Sequence, residues 1–287
     1  ESKNVFNIEV SRWAAKATVR KASGLNSIAT GSTFLINDVG GLSFCMGNVN
    51  SKMYPIQKRS AGDFIEDPNF AADYSLYGAE MVHDFGSNTY GSGLSPVPLF
   101  TDAYMDVDND GIAISARNNK YTVENTSQSP YLRGLMPYIS VRAKFIPNTL
   151  VSSYDPSTGL ATSTPNSAQV NSVTVYITAD GVYTYFPNAT LANTWSAHPA
   201  NAGYTHLGRY WNAYCYYLIY LDPKTSYPLA PYASIRNLFY DTRITQIDKL
   251  GYPTPYPEDS YPAMPPETPA RISADMDVKN WTPVLQP

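Results

Sequence analysis

Hydrophobic and polar residues alternate over short segments along most of this chain. A two-residue period is typical of β-strands that bury one face, and no segment of twelve or more residues shows the 3.6-residue period of an amphipathic helix. The predicted strands are Thr33–Asn37, Leu42–Met46, Gly111–Ala116, Pro137–Ile146, Ser172–Thr178, Val182–Phe186, Ala213–Leu221 and Leu238–Ile247. The pattern therefore predicts an all-β fold, organised as a β-sandwich.

Local signals refine this strand pattern. A further alternating segment, residues 6–19, shifts phase across Ser11 and Arg12, which predicts a β-bulge there. The segment 173–186 is predicted as a hairpin, because Asp180 and Gly181 supply the positive φ angles of a two-residue turn. The stretches Ser51–Ser95 and Ser152–Gln169 are rich in Gly, Pro, Ser, Asn and Asp, so we expect them to be long surface loops.

The C-terminal end combines a proline-rich segment with one isolated alternating segment. Seven prolines fall within residues 252–270, so this segment is predicted to be an extended, semi-rigid linker. Residues 271–287 after it contain a strand pattern with an apolar and a polar face. The apolar face consists of Ile272, Ala274, Met276 and Val278.

Two arrangements of this C-terminal segment fit the pattern. At about 3.1 Å per residue the linker reaches roughly 55 to 60 Å. A compact body of roughly 250 residues is about 45 Å wide, so the strand could pair with a neighbouring molecule. The alternative is that the segment folds back as the last strand of its own sheet. The pattern favours the intermolecular arrangement only slightly.

Composition narrows the range of partners. The net charge is −4, charged residues make up 15% of the chain, and lysine and arginine form no cluster, so nucleic acid is not an expected partner. Tyrosine enrichment, with 24 copies, suits an extracellular β-sandwich. The two cysteines, Cys45 and Cys215, lie in predicted strands, where either a disulfide or two buried free thiols is possible.

No catalytic signature is present in the sequence, so an enzyme is not expected and a secreted hydrolase is a remote alternative. The three histidines, His83, His198 and His206, lack metal-ligand spacing. A calcium ion is the one possible cofactor, because Asp106, Asp108 and Asp110 alternate before a glycine in the manner of a calcium loop.

The calcium reading is weak, since the twelfth position of the loop is Arg117 where an EF-hand has a bidentate glutamate. A simple Asn-Asp-Gly turn is the favoured alternative. Two triplets, at Asn125 and Asn188, fit the glycosylation pattern without indicating use. An aromatic stretch contains Trp195, Tyr204, Tyr210 and Trp211. These rings could form a surface on which sugars stack or could pack in the core, and core packing is the favoured alternative.

Several segments, taken in order, resemble the C-terminal domain of the Bacteroidales fimbrillins, the subunits of type V pili, and especially the short-fimbria (minor) fimbrillin. The matching segments are RWAAKATV from Arg12, YISVRAKF from Tyr138, the Asp180-Gly181 hairpin, YYLIYLDP from Tyr216, IRNLFYDTRITQIDKLGYPTP from Ile235, and ADMDVKNWTPV from Ala274. No single segment is specific, but the ordered set is. The least comparable part is Ser51–Ser129.

The resemblance implies a transthyretin-like β-sandwich that is exported as a lipoprotein precursor, trimmed by a protease and polymerised at the cell surface by donor-strand exchange. The implied organisation is a C-terminal-type sandwich domain at 1–251, a linker at 252–270 and a donor strand at 271–287. The donor side chains would be those of the apolar face, with Trp281 as an additional anchor. The implied partners are neighbouring fimbrillin subunits, accessory pilins and host or bacterial surface receptors.

One departure from the family concerns the acceptor. Family members carry an N-terminal sandwich domain before the segment that starts here at Arg12, so the groove for the donor strand is expected outside this sequence. The leading hypothesis is a structural subunit, of the stalk, in a fimbria that supports adhesion and biofilm formation. The alternatives are a tip or accessory pilin and a carbohydrate-binding module of a Bacteroidetes-type outer membrane system.

Overall fold

A computed structural model describes residues 13–25, 33–36, 41–50, 52–60, 63–68, 81–82, 104–126, 131–223, 230–255 and 271–281. The expected bulge at Ser11 and Arg12 and most of the linker lie outside these residues. None of the described helices is long and apolar enough to cross a membrane.

The described residues fold mainly into strands. The strands are β1 (Ala15–Lys21), β2 (Phe34–Ile36), β3 (Ser43–Gly47), β4 (Val49–Asn50), β5 (Lys58–Arg59), β6 (Ile65–Glu66), β7 (Met81–Val82), β8 (Met105–Asp106), β9 (Asp108–Asn109), β10 (Asn119–Thr122), β11 (Tyr138–Pro147), β12 (Thr149–Tyr154), β13 (Ala161–Pro165), β14 (Ser172–Ile177), β15 (Tyr183–Phe186), β16 (Thr205–Trp211), β17 (Tyr214–Tyr220), β18 (Leu238–Ile247) and β19 (Ile272–Asn280). One α-helix, α1 (Ala189–Ser196), and 3-10 helices at Ile114–Ala116 and Pro199–Asn201 complete the described elements.

Two five-stranded sheets form the body of the protein. The first sheet has the strand order β10-β1-β18-β19, with β9 also pairing with β1. Its two central strands, β1 and β18, run parallel, and β10 and β19 pair antiparallel on either side. The second sheet has the order β17-β11-β3-β8, and β2 pairs with the end of β11.

Side chains from both sheets share one core. Ala17 of β1 and Ile244 of β18 belong to the same buried cluster as Phe44 of β3 and Val141 of β11, and all four are 0% exposed. Because successive residues of a strand point to opposite faces, these alternating apolar positions direct one face of each sheet inward. The prediction of an all-β fold is confirmed, and the two sheets share the core expected of a sandwich.

A smaller three-stranded sheet, in the order β15-β14-β16, lies between this core and α1. Val173 and Val175 of β14 belong to the main core, whereas Tyr176 packs with Trp195 of α1 in a second buried cluster. The helix begins at Asn188, whose Oδ1 accepts a hydrogen bond from the backbone N–H of Leu191 at 2.8 Å.

The predicted hairpin at 173–186 is present, but its turn is longer than expected. The backbone N–H of Thr178 donates to the carbonyl of Val182 at 3.1 Å, which leaves a loop of the three residues between them. In this loop Gly181 has a positive φ of 83°, whereas Asp180 does not have a positive φ. Gly181 is therefore the one residue of this loop that supplies a positive φ angle, as in three-residue hairpin loops that end in a bulge.

Two other predictions were wrong. Residues 111–116 form a turn and the 3-10 helix Ile114–Ala116, because their alternating apolar side chains have no buried face and remain exposed. The expected loop Ser152–Gln169 contains most of a hairpin, in which β12 pairs with β13. The residues of β13 are all exposed, so this strand carries no hydrophobic signal in the sequence.

Both cysteines are buried, and neither forms a disulfide. Cys45 lies opposite Ser140 of β11, whereas Cys215 lies opposite Ala143. Ser140 and Ala143 are three positions apart and point to opposite faces of the sheet. Because each cysteine shares the face of its partner, the two thiols point away from each other and the disulfide alternative does not occur.

Candidate functional site: the C-terminal strand and its seat

The C-terminal strand β19 pairs antiparallel with β18 of its own chain. The register places Met276 opposite Thr242 and Asp275 opposite Arg243, and it shifts once at a bulge between Ile244 and Gln246. In this structure of a single chain, the strand therefore adopts the fold-back arrangement. No strand among the described residues pairs with the other edge of β19.

The two faces of β19 differ in burial, as the sequence pattern predicts. Ile272 is 4% exposed and belongs to the main core, and Met276 and Val278 pack against that core. Ala274 is half-buried, whereas the alternate residues Ser273, Asp275, Asp277 and Lys279 are exposed. The apolar face covers the edge of the shared core, so it is the part of the strand that holds it in place.

The beginning of β19 is fastened by Arg271. Its backbone carbonyl accepts hydrogen bonds from the N–H groups of Asp248 at 2.9 Å and Lys249 at 3.2 Å. Its Nη1 donates to the carbonyl of Leu250 at 2.9 Å, and its guanidinium carbon lies 4.2 Å from the centroid of the Tyr252 ring. A backbone pairing and a cation–π contact thus act at the same residue.

The end of β19 is held by Trp281. Its backbone N–H donates to the carbonyl of Asn237 at 2.7 Å. Its ring stacks on Tyr121 of β10, with centroids 5.6 Å apart, and the Lys16 ammonium lies 5.9 Å from the tryptophan centroid. Trp281 is therefore held against the outer face of its own sheet, and its role as an anchor of a donated strand stays a prediction.

The two ends of the proline-rich segment meet at the base of β19. Tyr252 pairs through its backbone with Tyr216 of β17, in a bridge with N–H to carbonyl distances of 2.8 and 2.9 Å. Arg271 contacts the ring of Tyr252, so the residues on either side of 253–270 lie next to each other.

Charged side chains cover the outer face of the first sheet beside β19. Asp110 receives hydrogen bonds from Arg20 Nη1 at 2.6 Å and from Arg243 Nη2 at 2.8 Å. Arg243 Nη1 also lies 4.0 Å from Asp275 of β19. Hydrogen bonding by Arg243 and then by Arg20 lowers the pKa of Asp110 to about 2, against the opposing effect of burial.

Asp241 of β18 is the second acid of this face. Its Oδ1 lies 2.7 Å from Arg117 Nη1 and 3.3 Å from Arg20 Nε, and it is 4% exposed. Arg117 comes from the segment after the Asp-rich turn, so that segment folds over the sheet. The acidic and basic residues of the outer face are consequently joined across β1, β18 and the turn.

The calcium candidates are distributed along this turn. Asp106 ends β8, Asp108 begins β9, and Asp110 follows β9. An Oδ atom of Asp108 accepts from the backbone N–H of Asn118 at 2.8 Å, while Asp110 is paired with the two arginines. Among the described residues, no group of three or more His, Cys, Asp or Glu is placed to hold a metal ion. Calcium binding stays a prediction.

The aromatic stretch contributes mainly to packing. Trp195 is 2% exposed and Tyr210 is 0% exposed, whereas Trp211 is half-buried with the Arg209 guanidinium 3.7 Å from its ring centroid. Tyr204 packs edge-on against Trp195, with centroids 4.7 Å apart. The rings are not arranged as an open sugar platform, so packing is the arrangement found.

The remaining candidates have local structural contacts. His198 Nδ1 accepts a hydrogen bond from the Ala200 N–H at 3.2 Å. The His206 ring packs against the Tyr176 ring, with centroids 4.9 Å apart. Asn125 is 0% exposed, so its glycosylation triplet is inaccessible in the folded chain, whereas Asn188 is exposed. His83 lies outside the described residues.

Sequence reasoning missed the residues that fasten β19 at its ends. Arg271, Tyr252 and Tyr121 carry no motif, and each contacts residues distant in sequence. One signal was available at the linker boundaries, where an aromatic residue precedes the first proline and an arginine follows the last residue. That placement suggests a contact between the two ends of the linker.

Comparison with known proteins concerns the same part of the chain. Residues 208–286 match the family described as "Major fimbrial subunit protein type IV, Fimbrillin, C-terminal". The matched region includes β17, β18, the linker and β19. No curated protein shows significant sequence similarity to the chain.

Two crystal structures of candidate cell adhesion proteins from Parabacteroides distasonis align with most of the chain. One covers 96% of this chain at 16% identity with a TM-score of 0.38, and the other covers 95% at 12% identity with a TM-score of 0.40. The chain spans only 54% and 60% of the length of those proteins.

The ordered segments of the sequence and the matched family thus agree over the strands that seat the C-terminal segment. A particular relationship to the minor fimbrillin stays a prediction. The fimbrillin recognition itself is confirmed, and the part of the chain that contains β17, β18 and β19 is a fimbrillin C-terminal region.

Proposed function

We propose that this protein is a structural subunit, of the stalk, in a cell-surface fimbria, and that it donates β19 to a neighbouring subunit during assembly. One observation carries the proposal: within a fimbrillin C-terminal region, the last strand lies at a sheet edge and follows a long proline-rich linker. An edge strand on such a linker can leave its sheet without disturbing the strands between β10 and β18.

The donated strand would use the apolar face that seats it here. Ile272, Ala274, Met276 and Val278 would enter a groove of the neighbour, and Trp281 would add an aromatic anchor. Burying a large apolar side chain contributes about 1.5 to 3 kcal/mol, and the backbone ladder adds to this. A strand of nine residues is therefore long enough to join two subunits firmly.

The remaining parts of the proposal follow from the fimbrillin resemblance. The partners are neighbouring fimbrillin subunits and accessory pilins, with host or bacterial surfaces as receptors. The precursor would be exported as a lipoprotein and processed at the cell surface, and the fimbria would support adhesion and biofilm formation. A stalk position is supported by the length of the linker, since a subunit that ends a fibre has no need to reach a further neighbour.

A deletion in the full-length, protease-processed protein tests the proposal. Removing residues 271–287 should prevent fibre formation, measured by electron microscopy of secreted material and by SDS-resistant ladders on gels. Because β19 covers part of the core, circular dichroism must first show that the shortened protein is folded. A folded deletion variant that still forms fibres would falsify the donation of β19.

A second variant tests the same proposal without removing the strand, in case the deletion unfolds the protein. Met276→Asp keeps the strand but places a charge on its buried face, which should also reduce fibre yield. Asp277→Asn on the exposed face is the matched control and should assemble normally. If both variants assemble equally well, the assignment of the apolar face to assembly is wrong.

A further inference from the structure

We infer that the edge of β18 is itself an acceptor, and that it can take β19 from a second copy of this chain in place of its own β19. This inference rests on the proposed donation of β19, and it names an acceptor inside the C-terminal domain. The fimbrillin resemblance alone would place the acceptor in an N-terminal domain outside this sequence.

The seat on β18 is complete within one chain. It consists of the backbone edge of β18, the core edge around Ile244, and the two end contacts at Tyr252 and Tyr121. None of these contacts depends on which copy supplies the strand. A swapped β19 would therefore make the same pairs as the resident strand, as in domain swapping.

The linker allows the exchange geometrically. Its ends are in contact in the closed form, because Arg271 lies against Tyr252. Residues 253–255 are packed on the body, and Pro255 is buried, so the segment that can extend when this contact opens is residues 256–270. These 15 residues reach about 46 Å at 3.1 Å per residue. This reach matches the width of about 45 Å expected for a body of this size, so β19 can arrive at a second copy that lies alongside.

The side chains of the seat select for this strand. The inner face of β18 receives the apolar residues of β19, and the bulge at Thr245 sets the register by placing its Oγ1 3.2 Å from the Ser273 carbonyl. On the outer face, Arg243 lies opposite Asp275. A foreign strand must combine an apolar inner face with an acid at this outer position, which the chain's own C-terminal segment does.

The balance between the closed and swapped forms depends on concentration. Tethering holds the strand of the same chain at a high effective concentration, so closed monomers dominate in dilute solution. The swap becomes competitive at the high local concentration of a growing fibre or of a crowded cell surface. A proline-rich linker favours the swap further, since a stiffer linker returns to its own base less often.

A cross-linking experiment on the full-length, processed protein tests the inference. Gln246 and Ser273 are both exposed and lie opposite each other across β18 and β19. Copies with Gln246→Cys are mixed with copies with Ser273→Cys, assembled into fibres, and treated with a short bis-maleimide. The expected product is a cross-linked heterodimer on a denaturing gel, at a yield that rises with protein concentration.

Two controls make the result interpretable. The double variant Gln246→Cys/Ser273→Cys should cross-link within one chain in dilute solution, which shows that the two positions are within reach of the reagent. A mixture of Leu160→Cys and Ser273→Cys copies gives the collisional background, because Leu160 is 71% exposed and lies outside both strands. Adding Met276→Asp to the donor copy should lower the heterodimer yield by roughly tenfold or more.

The outcomes separate this inference from the proposed function. If the double variant cross-links but the mixed fibres give only background, β18 does not accept a foreign strand and the inference is overturned. If fibre growth nevertheless requires residues 271–287, the strand is donated to a different acceptor and the proposed function stands. If fibres grow without residues 271–287, the proposed function fails as well.

Discussion

Arg271 and Tyr252 close the base of the proline-rich linker, with the guanidinium carbon 4.2 Å from the centre of the tyrosine ring. The same arginine donates a hydrogen bond to the Leu250 carbonyl at 2.9 Å. These contacts hold the first residue before β19 beside the segment that leaves β18. They are thus among the contacts that must break, together with the β18–β19 ladder and the Trp281 contacts, before the C-terminal strand can move away from its own sheet.

The first prediction concerns this arginine. Arg271→Ala removes the cation–π contact and the side-chain hydrogen bond, so the free energy of unfolding should fall by about 1 to 2 kcal/mol. Amide hydrogen exchange in β19 should accelerate more than exchange in β1. Lys279→Ala, at the exposed end of the same strand, is the control and should leave exchange nearly unchanged. Equal exchange rates in both variants would show that Arg271 does not hold the strand.

The second prediction concerns the stability contributed by the buried face of β19. Met276 packs against the core and lies opposite Thr242, so Met276→Asp should destabilise the monomer by about 1 to 3 kcal/mol in urea denaturation. Asp277 points away from the core and pairs with Lys279 at the surface. Asp277→Asn should therefore change stability by no more than about 0.5 kcal/mol. A reversed order of the two effects would contradict the observed face of the strand.

The third prediction concerns acid sensitivity. Hydrogen bonds from Arg243 and Arg20 lower the pKa of Asp110 to about 2, below its ordinary value of 3.8. A lowered pKa means that the carboxylate stabilises the fold above the unfolded pKa, and that this stabilisation is lost as the pH falls from about 4 towards 2. Asp110→Asn should be less stable than the unmodified protein at pH 6.

The difference between the two proteins should shrink as the solution is acidified towards pH 2, and urea midpoints across this range measure it. Asp108→Asn is a matched control from the same turn. A constant difference at every pH would show that the two arginines do not act on Asp110 through its charge.

The fourth prediction concerns thiol reactivity. Burial raises the pKa of Cys215 to about 12, and Cys45 is also fully buried. Neither thiol should react with an aromatic disulfide reagent at pH 8 in the folded protein, because the thiolate is the reactive form. Both should react within minutes in denaturing urea. Rapid labelling of the native protein would show that the core around Cys215 opens readily.

The sequence predicted the strands that bury one face. The bounds predicted for β18 agree with the structure, and those predicted for β11 and β17 differ from it by one residue at each end. In these strands, apolar residues occur at every second position and are fully buried, as at Ile139, Val141 and Ala143 of β11. A two-residue period in the sequence reveals strands of this kind. By contrast, β13 exposes every residue, so its sequence predicts a loop, while 111–116 alternates without a buried face, so its sequence predicts a strand that does not form.

The seat of the C-terminal strand was harder to predict for a different reason. Alternation in residues 271–280 shows which side chains face inward, but it contains no information about which edge they cover. The pairing with β18, the Trp281 stack on Tyr121 and the arginines around Asp110 all join segments far apart in sequence. Only the three-dimensional structure brings these partners together.

The parallel pairing of β1 with β18 has a consequence for biosynthesis. Thr18 and Asp241, which face each other across these strands and share a hydrogen bond, are 223 residues apart in the chain. Closing so long a loop is slow, and the ribosome must add every residue between Thr18 and Asp241 before the two strands can meet. The first sheet is consequently completed only after translation has passed its last strand, β19.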